Sequence, residues 1–214
     1  MPWSPADIAD AIYTGLKQRA AEDDLEQAVY GFDALDELGM HPIVHQSLRD
    51  AGYGVWPEQR YPGDREGSRK KSQGKRCDVV ITPDGRPLRD PHAKSTLFDS
   101  PNAVDMQDAY WLEIKLVAQF EKTGPFKRYS SELLSPVAHD VKKLWNDGDI
   151  YHSGLLLILL TINEEVAAHD LYAWHRKCLE KGYPVAVPAA RGFRITDRIG
   201  NGYCIAAVFG VRGM

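Results

Sequence analysis

Residues 108–119 read Asp-Ala-Tyr-Trp-Leu-Glu-Ile-Lys-Leu-Val-Ala-Gln, and this stretch decides the fold. Its side chains follow a period of two, which predicts a β-strand over about 110–119. Because successive side chains on a strand point to opposite faces, Glu113 and Lys115 share one face. An acid and an amine inside an apolar strand are costly to desolvate. They therefore indicate either a cross-strand ion pair or a functional site.

The composition is that of a globular protein, with 43% hydrophobic and 26% charged residues, and 214 residues favour a single domain over 1–214. A net charge of −4 argues against a uniformly basic nucleic-acid coat, so a polyanion would have to meet a local patch. The longest apolar run, 155–160, is too short to span a bilayer, and we expect no membrane partner. A cytoplasmic location is expected because three scattered cysteines form no disulfide framework: Cys77, Cys178 and Cys204.

The first 51 residues predict three helices. A proline-led capping pattern indicates a helix over 5–19, followed by a short helical piece over 22–30. A third helix is predicted over 33–51, with a kink or a restart near 39–42 because a proline, Pro42, falls inside it. The apolar stripe of this third helix would consist of Leu35, Leu38, Val44 and Leu48.

Three polar residues of the third helix, Glu37, His41 and His45, follow at four-residue spacing and share one face. Two histidines at this spacing can bind zinc, but the sequence has no His-Glu-x-x-His arrangement and no obvious third ligand. A polar helix flank is therefore the preferred interpretation of the two histidines.

Two strands and a basic loop come next. A strand is predicted over 54–61, where Pro57 indicates an edge or bulge position, and a second over 77–82, which opens with Asp78. The loop between them, 63–76, is rich in basic residues that either are simply solvated or contact phosphate groups. Phosphate contact is favoured because the chain as a whole is acidic and this segment concentrates positive charge. Its basic residues are Arg65, Arg69, Lys70, Lys71, Lys75 and Arg76.

The second half of the chain continues the alternation of helices and strands. It predicts a helix over 131–145, a buried strand over 154–162, a helix over 166–181, and strands over 193–198 and 203–209. The segment Gly200-Asn201-Gly202 indicates a hairpin between the last two. In the first of these helices the inward residues would be Leu134, Val137, Val141 and Leu144 or Trp145. The predicted fold class is α/β, a mixed sheet with helices on both faces.

The element order, with an aspartate one strand before a Glu-x-Lys motif, resembles that of the PD-(D/E)XK nuclease superfamily, whose fold is restriction-endonuclease-like with an αβββαβ core. Asp78 matches the motif aspartate, and residues 113–115 match the (D/E)-x-Lys part. The resemblance covers about 33–162. It leaves 1–32 as an N-terminal helical addition and 163–214 as a C-terminal helix and hairpin.

Two features depart from the family pattern. Cys77 stands where many members carry proline, and the interval between Asp78 and Glu113 is long, so residues 86–107 would be an insertion. A literal Pro83-Asp84 pair is present, but it falls in a turn beyond the strand. Asp78 is therefore the preferred motif residue.

The resemblance implies a metal site and a set of catalytic residues. Asp78 and Glu113, with the carbonyl of Ile114, would hold Mg²⁺ or Mn²⁺, which neutralises charge and lowers the pKa of bound water. Lys115 would orient or deprotonate the attacking water. Glu37, in the first core helix, corresponds to an additional acid that many members carry and would complete the metal site or bind a second ion.

The sequence thus predicts a metal-dependent endonuclease that acts on DNA. One alternative is a catalytically inactive nucleic-acid-binding or protein-interaction module on the same fold. Another is an unrelated α/β protein in which Glu113 and Lys115 form a structural pair. The sequence leaves open whether the substrate is DNA or RNA, its target sequence and strandedness, the biological pathway, and whether the chain forms a homodimer.

The predicted nucleic-acid contacts are Arg69, Lys70, Lys71, Lys75, Lys142 and Lys143. The last two lie in the helix after the motif, together with Asp140.

Overall fold

The computed structural model describes residues 3–27, 29–64, 75–89 and 100–211, which form a mixed six-stranded sheet flanked by helices. The α/β class is therefore confirmed. The strands are β1 (Gly54–Arg60), β2 (Arg76–Thr82), β3 (Tyr110–Ala118), β4 (Phe120–Glu121), β5 (Gly124–Pro125), β6 (His152–Thr161), β7 (Ala189–Arg194) and β8 (Tyr203–Val211). The helices are α1 (Pro5–Leu25), α2 (Glu37–Asp50), α3 (Tyr129–Leu134), α4 (Pro136–Asn146) and α5 (Glu164–Glu180).

The main sheet has the strand order β1-β2-β3-β6-β8-β7, and β4 and β5 form a separate two-stranded hairpin. Among the paired strands described, only β3 and β6 run parallel. β1 lies at the edge, as the proline in it predicted. β7 and β8 follow the segment that resembles a nuclease core, and they extend the same sheet.

Helices cover both faces of the sheet because its central strand is apolar on both sides. Leu155, Leu157 and Leu159 of β6 are fully buried in the cluster that contains α4 and α5 residues. The alternate residues of β6, from Leu156 to Leu160, are buried in the cluster with α1 and α2. All three cysteines are free and buried. No helix in the described ranges is long and apolar enough to cross a membrane.

The N-terminal helices differ from the prediction in three ways. α1 is continuous to Leu25, so the prediction of a separate short helix over 22–30 is wrong. Leu25 and Val29, the apolar residues of that predicted helix, are 84% and 81% exposed, so burial of these side chains does not stabilise a second helix. α2 runs through Pro42 without the expected restart, and the ring of this proline faces solvent. Leu38 is also exposed instead of belonging to the apolar stripe.

The helix predicted over 131–145 is divided into α3 and α4. The division falls at Ser135, and Pro136, which lacks an N–H, begins α4. Leu144 faces the core, whereas Trp145 is 42% exposed. β7 lies at Ala189–Arg194 instead of 193–198, so the β7–β8 connection spans residues 195–202 and is not a tight hairpin.

Gly200-Asn201-Gly202 has a different structural role from the predicted turn. Asn201 is fully buried, accepts a hydrogen bond from Phe120 N (3.1 Å), and donates to the carbonyls of Phe120 (2.9 Å) and Asp33 (3.0 Å). Gly200 has φ +123°, and a Cβ there would lie 2.4 Å from Cγ of the Phe120 ring. The segment therefore fixes the start of the β4–β5 hairpin to the loop before α2.

Replacing Asn201 by alanine should destabilise the protein by at least about 1–3 kcal/mol, the cost of one buried polar group left unpaired. Chemical denaturation measures the change. Asn146→Ala is the control because Asn146 is exposed at the end of α4, where substitutions usually change stability by less than about 0.5 kcal/mol. Equal stability of the two variants would show that the Asn201 hydrogen bonds do not hold the loop.

Candidate functional site

The candidate site lies where β2 separates from β3. The two strands pair only between Val79–Ile81 and Tyr110–Leu112, whereas β3 stays paired with β6 as far as Ala118. Just beyond the paired part, the backbone N–H of Ile114 donates to Oδ2 of Asp78 at 2.7 Å. Asp78 therefore lies beside the Glu-x-Lys segment.

Glu113 is buried next to this opening, with 2% of its surface exposed. The Tyr61 hydroxyl donates to Oε1 of Glu113 at 2.5 Å, and Nζ of Lys143 lies 3.8 Å from the same oxygen. Burial raises the pKa of Glu113 well above its usual range and the Asp78 charge raises it further, while Lys143 and Tyr61 act in the opposite direction. Glu113 is thus a carboxyl group that holds its proton more tightly than an exposed glutamate.

Tyr61 was not identified as a site residue from the sequence. It follows β1 directly and its ring stacks on Trp111, with 5.5 Å between centroids and 24° between planes. The only sequence signal was an aromatic residue at the end of the first predicted strand. That signal cannot show that the hydroxyl reaches a residue on β3.

Lys115 is paired with Glu37, and in the described structure it forms no ion pair with Glu113. Its Nζ lies 3.1 Å from Oε2 and 3.4 Å from Oε1 of Glu37, the first residue of α2. Burial disfavours the charged lysine, but the Glu37 carboxylate outweighs this and raises the pKa of Lys115. The N–H of Leu116 also donates to Glu37, at 3.4 Å, which ties the start of α2 to β3.

Lys143 and Lys142 have separate environments, although the sequence grouped them as phosphate contacts. Lys143 lies 2.6 Å from Oδ1 of the buried Asp140 and reaches Glu113, so it belongs to the site. Lys142 is exposed, with Nζ 5.4 Å from the ring centroid of Tyr183. Adjacent helical residues point in different directions, which accounts for the separation.

The site carries excess negative charge. Among the described residues, five carboxyl groups interact electrostatically with the two ammonium groups of Lys115 and Lys143, and these seven groups sum to a formal charge of −3 when all are ionised. Carboxylate oxygens are the ligands that Mg²⁺ and Mn²⁺ prefer, so charge and donor type fit a divalent cation. The carboxyl groups are those of Glu37, Asp78, Glu113, Glu132 and Asp140.

The carboxyl groups do not form a ready-made cage. In the part of the chain that the structure describes, no three His, Cys, Asp or Glu side chains are grouped so that they could hold one metal ion. Asp78 accepts from the Ile114 N–H, and Lys143 lies against both Glu113 and Asp140. A metal ion would have to compete with these contacts.

The basic loop joins the site at its base. Arg69, Lys70 and Lys71 lie outside the described residues, so their predicted phosphate contacts stay predictions, while Lys75 is exposed beside the start of β2. The carbonyl of Lys75 accepts from the N–H of Tyr61 at 3.3 Å. The loop base thus adjoins the tyrosine that contacts Glu113.

The two histidines of α2 have ring centroids 5.9 Å apart. Burial and then the neighbouring His41 lower the pKa of His45 to about 4, so this ring is neutral at physiological pH. Neither histidine belongs to a metal-binding group among the residues described. The polar helix flank stays a prediction.

Comparisons of the chain with protein-family models, with curated proteins and with solved structures give no match. The interpretation of the site therefore depends on its side chains, distances and charges.

Replacing Glu113 by glutamine should stabilise the protein at pH 8. Folding raises the pKa of this carboxyl, so its contribution to stability decreases as the pH rises from about 4, the ordinary glutamate range, through the raised value. The variant should gain about 1.4 kcal/mol for each unit of that rise, and the gain should vanish near pH 4. Denaturation curves across this pH range, with EDTA, measure it.

Glu121→Gln is the matched control because Glu121 is exposed on the β4–β5 hairpin. It should follow the wild-type pH dependence. A Glu113→Gln variant with the same pH dependence as the wild type would contradict the described burial of the charge.

Proposed function

We propose that this chain is a metal-dependent endonuclease that hydrolyses phosphodiester bonds of DNA, on a restriction-endonuclease-like version of the mixed α/β fold. The observation that carries the proposal is the proximity of Asp78 and Glu113 where β2 leaves β3, with Lys115 two residues further along β3 and both Glu113 and Lys115 interacting electrostatically with Asp140. These three residue types at this junction are what the resemblance to the PD-(D/E)XK nucleases implies. The excess negative charge of the site supports a divalent cation as cofactor.

Asp78 and Glu113 would hold Mg²⁺ or Mn²⁺, with the carbonyl of Ile114 and the carboxylate of Glu37 as further donors. When bound, the ion supplies positive charge to the phosphate and acidifies a water molecule. The Tyr61 hydroxyl orients Glu113 through its 2.5 Å hydrogen bond. Loss of the Glu113 proton is required before it can act as a metal ligand, so activity should increase with pH.

The two lysines have different parts in the proposal. Lys115, held by Glu37, would orient the attacking water and stabilise the negative charge that develops on the phosphate. Lys143 balances the charges of Glu113 and Asp140 and is a positioning residue for Glu113. Because Lys143 is an additional cation among the carboxyl groups, its removal should alter metal affinity more than it alters the fold.

A second candidate is a catalytically inactive nucleic-acid-binding module. One observation favours it: Glu113 is buried and its pKa is raised, which favours the neutral carboxyl group over the charged metal ligand. Such a module would bind DNA with or without divalent ions and would leave it intact. A DNA cleavage assay with and without a divalent metal ion separates the two candidates.

Asp78→Ala, Glu113→Gln and Lys115→Ala should each reduce cleavage by at least about 100-fold, the usual contribution of a positioned catalytic group. The assay incubates purified protein with plasmid, linear duplex and single-stranded DNA in Mg²⁺, Mn²⁺ or EDTA. Lys17→Ala is the control, since that side chain is exposed on α1 beside the Tyr13 ring and should leave cleavage unchanged. Cleavage by the wild type in EDTA, or full activity of Lys115→Ala, would overturn the assigned roles.

A further inference from the structure

Three cations near the candidate site are left unpaired by the residues around them. Lys122, Lys127 and Arg128 are exposed, and none forms an ion pair with an acid in the described ranges. Lys122 lies instead 5.1 Å from the ring centroid of Tyr30, and Arg128 lies 5.9 Å from that of Phe126. Contacts with aromatic faces hold a cation in place and leave its charge uncompensated.

These cations are carried on a rigid support. The hairpin begins at Phe120, whose N–H and carbonyl are both bonded to the buried Asn201 amide. It ends where the N–H of Phe126 donates to the Gln119 carbonyl at 2.8 Å. Gly200 packs so closely against the ring of Phe120 that a Cβ at this position would clash with it. A buried, fully bonded amide at the base of a short surface hairpin fixes the position of its outer residues.

The hairpin also forms one wall of a cleft that leads to the site. The cleft has a volume of about 590 Å³, within the range of ligand-binding pockets, and Glu37 lines it together with Leu116. Lys122 and Arg128 line it as well. A groove of this size therefore connects the residue paired with Lys115 to the unpaired cations.

The charges of the cleft suit a phosphate chain accompanied by a metal ion. Its acids are Asp33, Asp36, Glu37, Glu121 and Glu132. A polyanion alone would be repelled by these acids, and a divalent cation held by Glu37 and the neighbouring carboxyl groups would weaken that repulsion. The cations on the hairpin would then contact phosphates beside the scissile one. A chain with net charge −4 needs such a local patch to hold DNA.

We propose that the β4–β5 hairpin and the turn after it, residues 120–128, contact the phosphate backbone of duplex DNA through Lys122, Lys127 and Arg128. This deepens the proposed nuclease function and depends on DNA being the partner. It assigns the contact to a segment that follows directly after β3, the strand that carries Lys115.

The test measures binding of a fluorescent duplex oligonucleotide by anisotropy at several salt concentrations and constant Mg²⁺, with Lys115→Ala added to every protein compared, the wild type included, so that no cleavage occurs. The variant combines Lys122→Ala, Lys127→Ala and Arg128→Ala. Each lost phosphate contact should flatten the slope of log affinity against log salt by about 0.9 on duplex DNA, or about 0.7 on single strands. All duplex sequences should weaken about equally, and the melting temperature should be unchanged because the three side chains are exposed.

Lys17→Ala is the matched control for Lys122→Ala, because Lys17 is exposed on α1, lies over the Tyr13 ring at 5.6 Å, and does not line the cleft. It should keep the wild-type slope. A triple variant with wild-type slope and affinity would overturn the hairpin contact while leaving the nuclease proposal intact. Flattened slopes with no cleavage under any metal would support the contact and refute the nuclease. A wild-type protein that does not bind DNA would overturn both.

Discussion

The hydrogen bond from the Ile114 N–H to Asp78 is the interaction on which the candidate site depends. Where β2 leaves β3, a backbone donor in the middle of the sheet loses its strand partner, and an unpaired buried donor costs about 1–3 kcal/mol. The Asp78 carboxylate takes the place of the missing strand at 2.7 Å. The opening is therefore stable, and side chains from both helical layers reach β3: Glu37 from one layer, Lys143 from the other.

The unfavourable part of this arrangement is electrostatic. Glu113 is buried among like charges, which raises its pKa, and the two lysines compensate the carboxyl groups only in part. Buried charged groups such as these lower stability relative to apolar residues, so their presence indicates a functional site. The positive charge that compensates the carboxyl groups comes from two elements: Lys115 on β3 pairs with Glu37, and Lys143 on α4 pairs with Asp140 and Glu113.

Strands β1, β2, β3, β6 and β8, and the shared face of Glu113 and Lys115, could be predicted because alternation along a strand is a local property. The position of Asp78 on β2 could be predicted in the same way, and Glu37 falls at the start of α2 because Asp36 caps that helix. Tyr61 could not be predicted, since its contact with Glu113 joins residues 52 positions apart. The Asn201 contacts were missed because its glycine neighbours resembled a tight turn, whereas the hydrogen bonds of Asn201 and the close approach of Gly200 involve Phe120, 81 positions before Asn201.

Metal binding tests the central claim, that the opening between β2 and β3 is a divalent-cation site, most directly. Titration of Mn²⁺ into the protein, followed by electron paramagnetic resonance, reports free and bound ion without requiring a substrate. The wild type should bind Mn²⁺, more tightly at pH 8 than at pH 6 because Glu113 must lose its proton, and Asp78→Ala and Glu113→Gln should not bind it. Equal binding by the wild type and both variants, or no binding by the wild type at pH 8, would contradict the account.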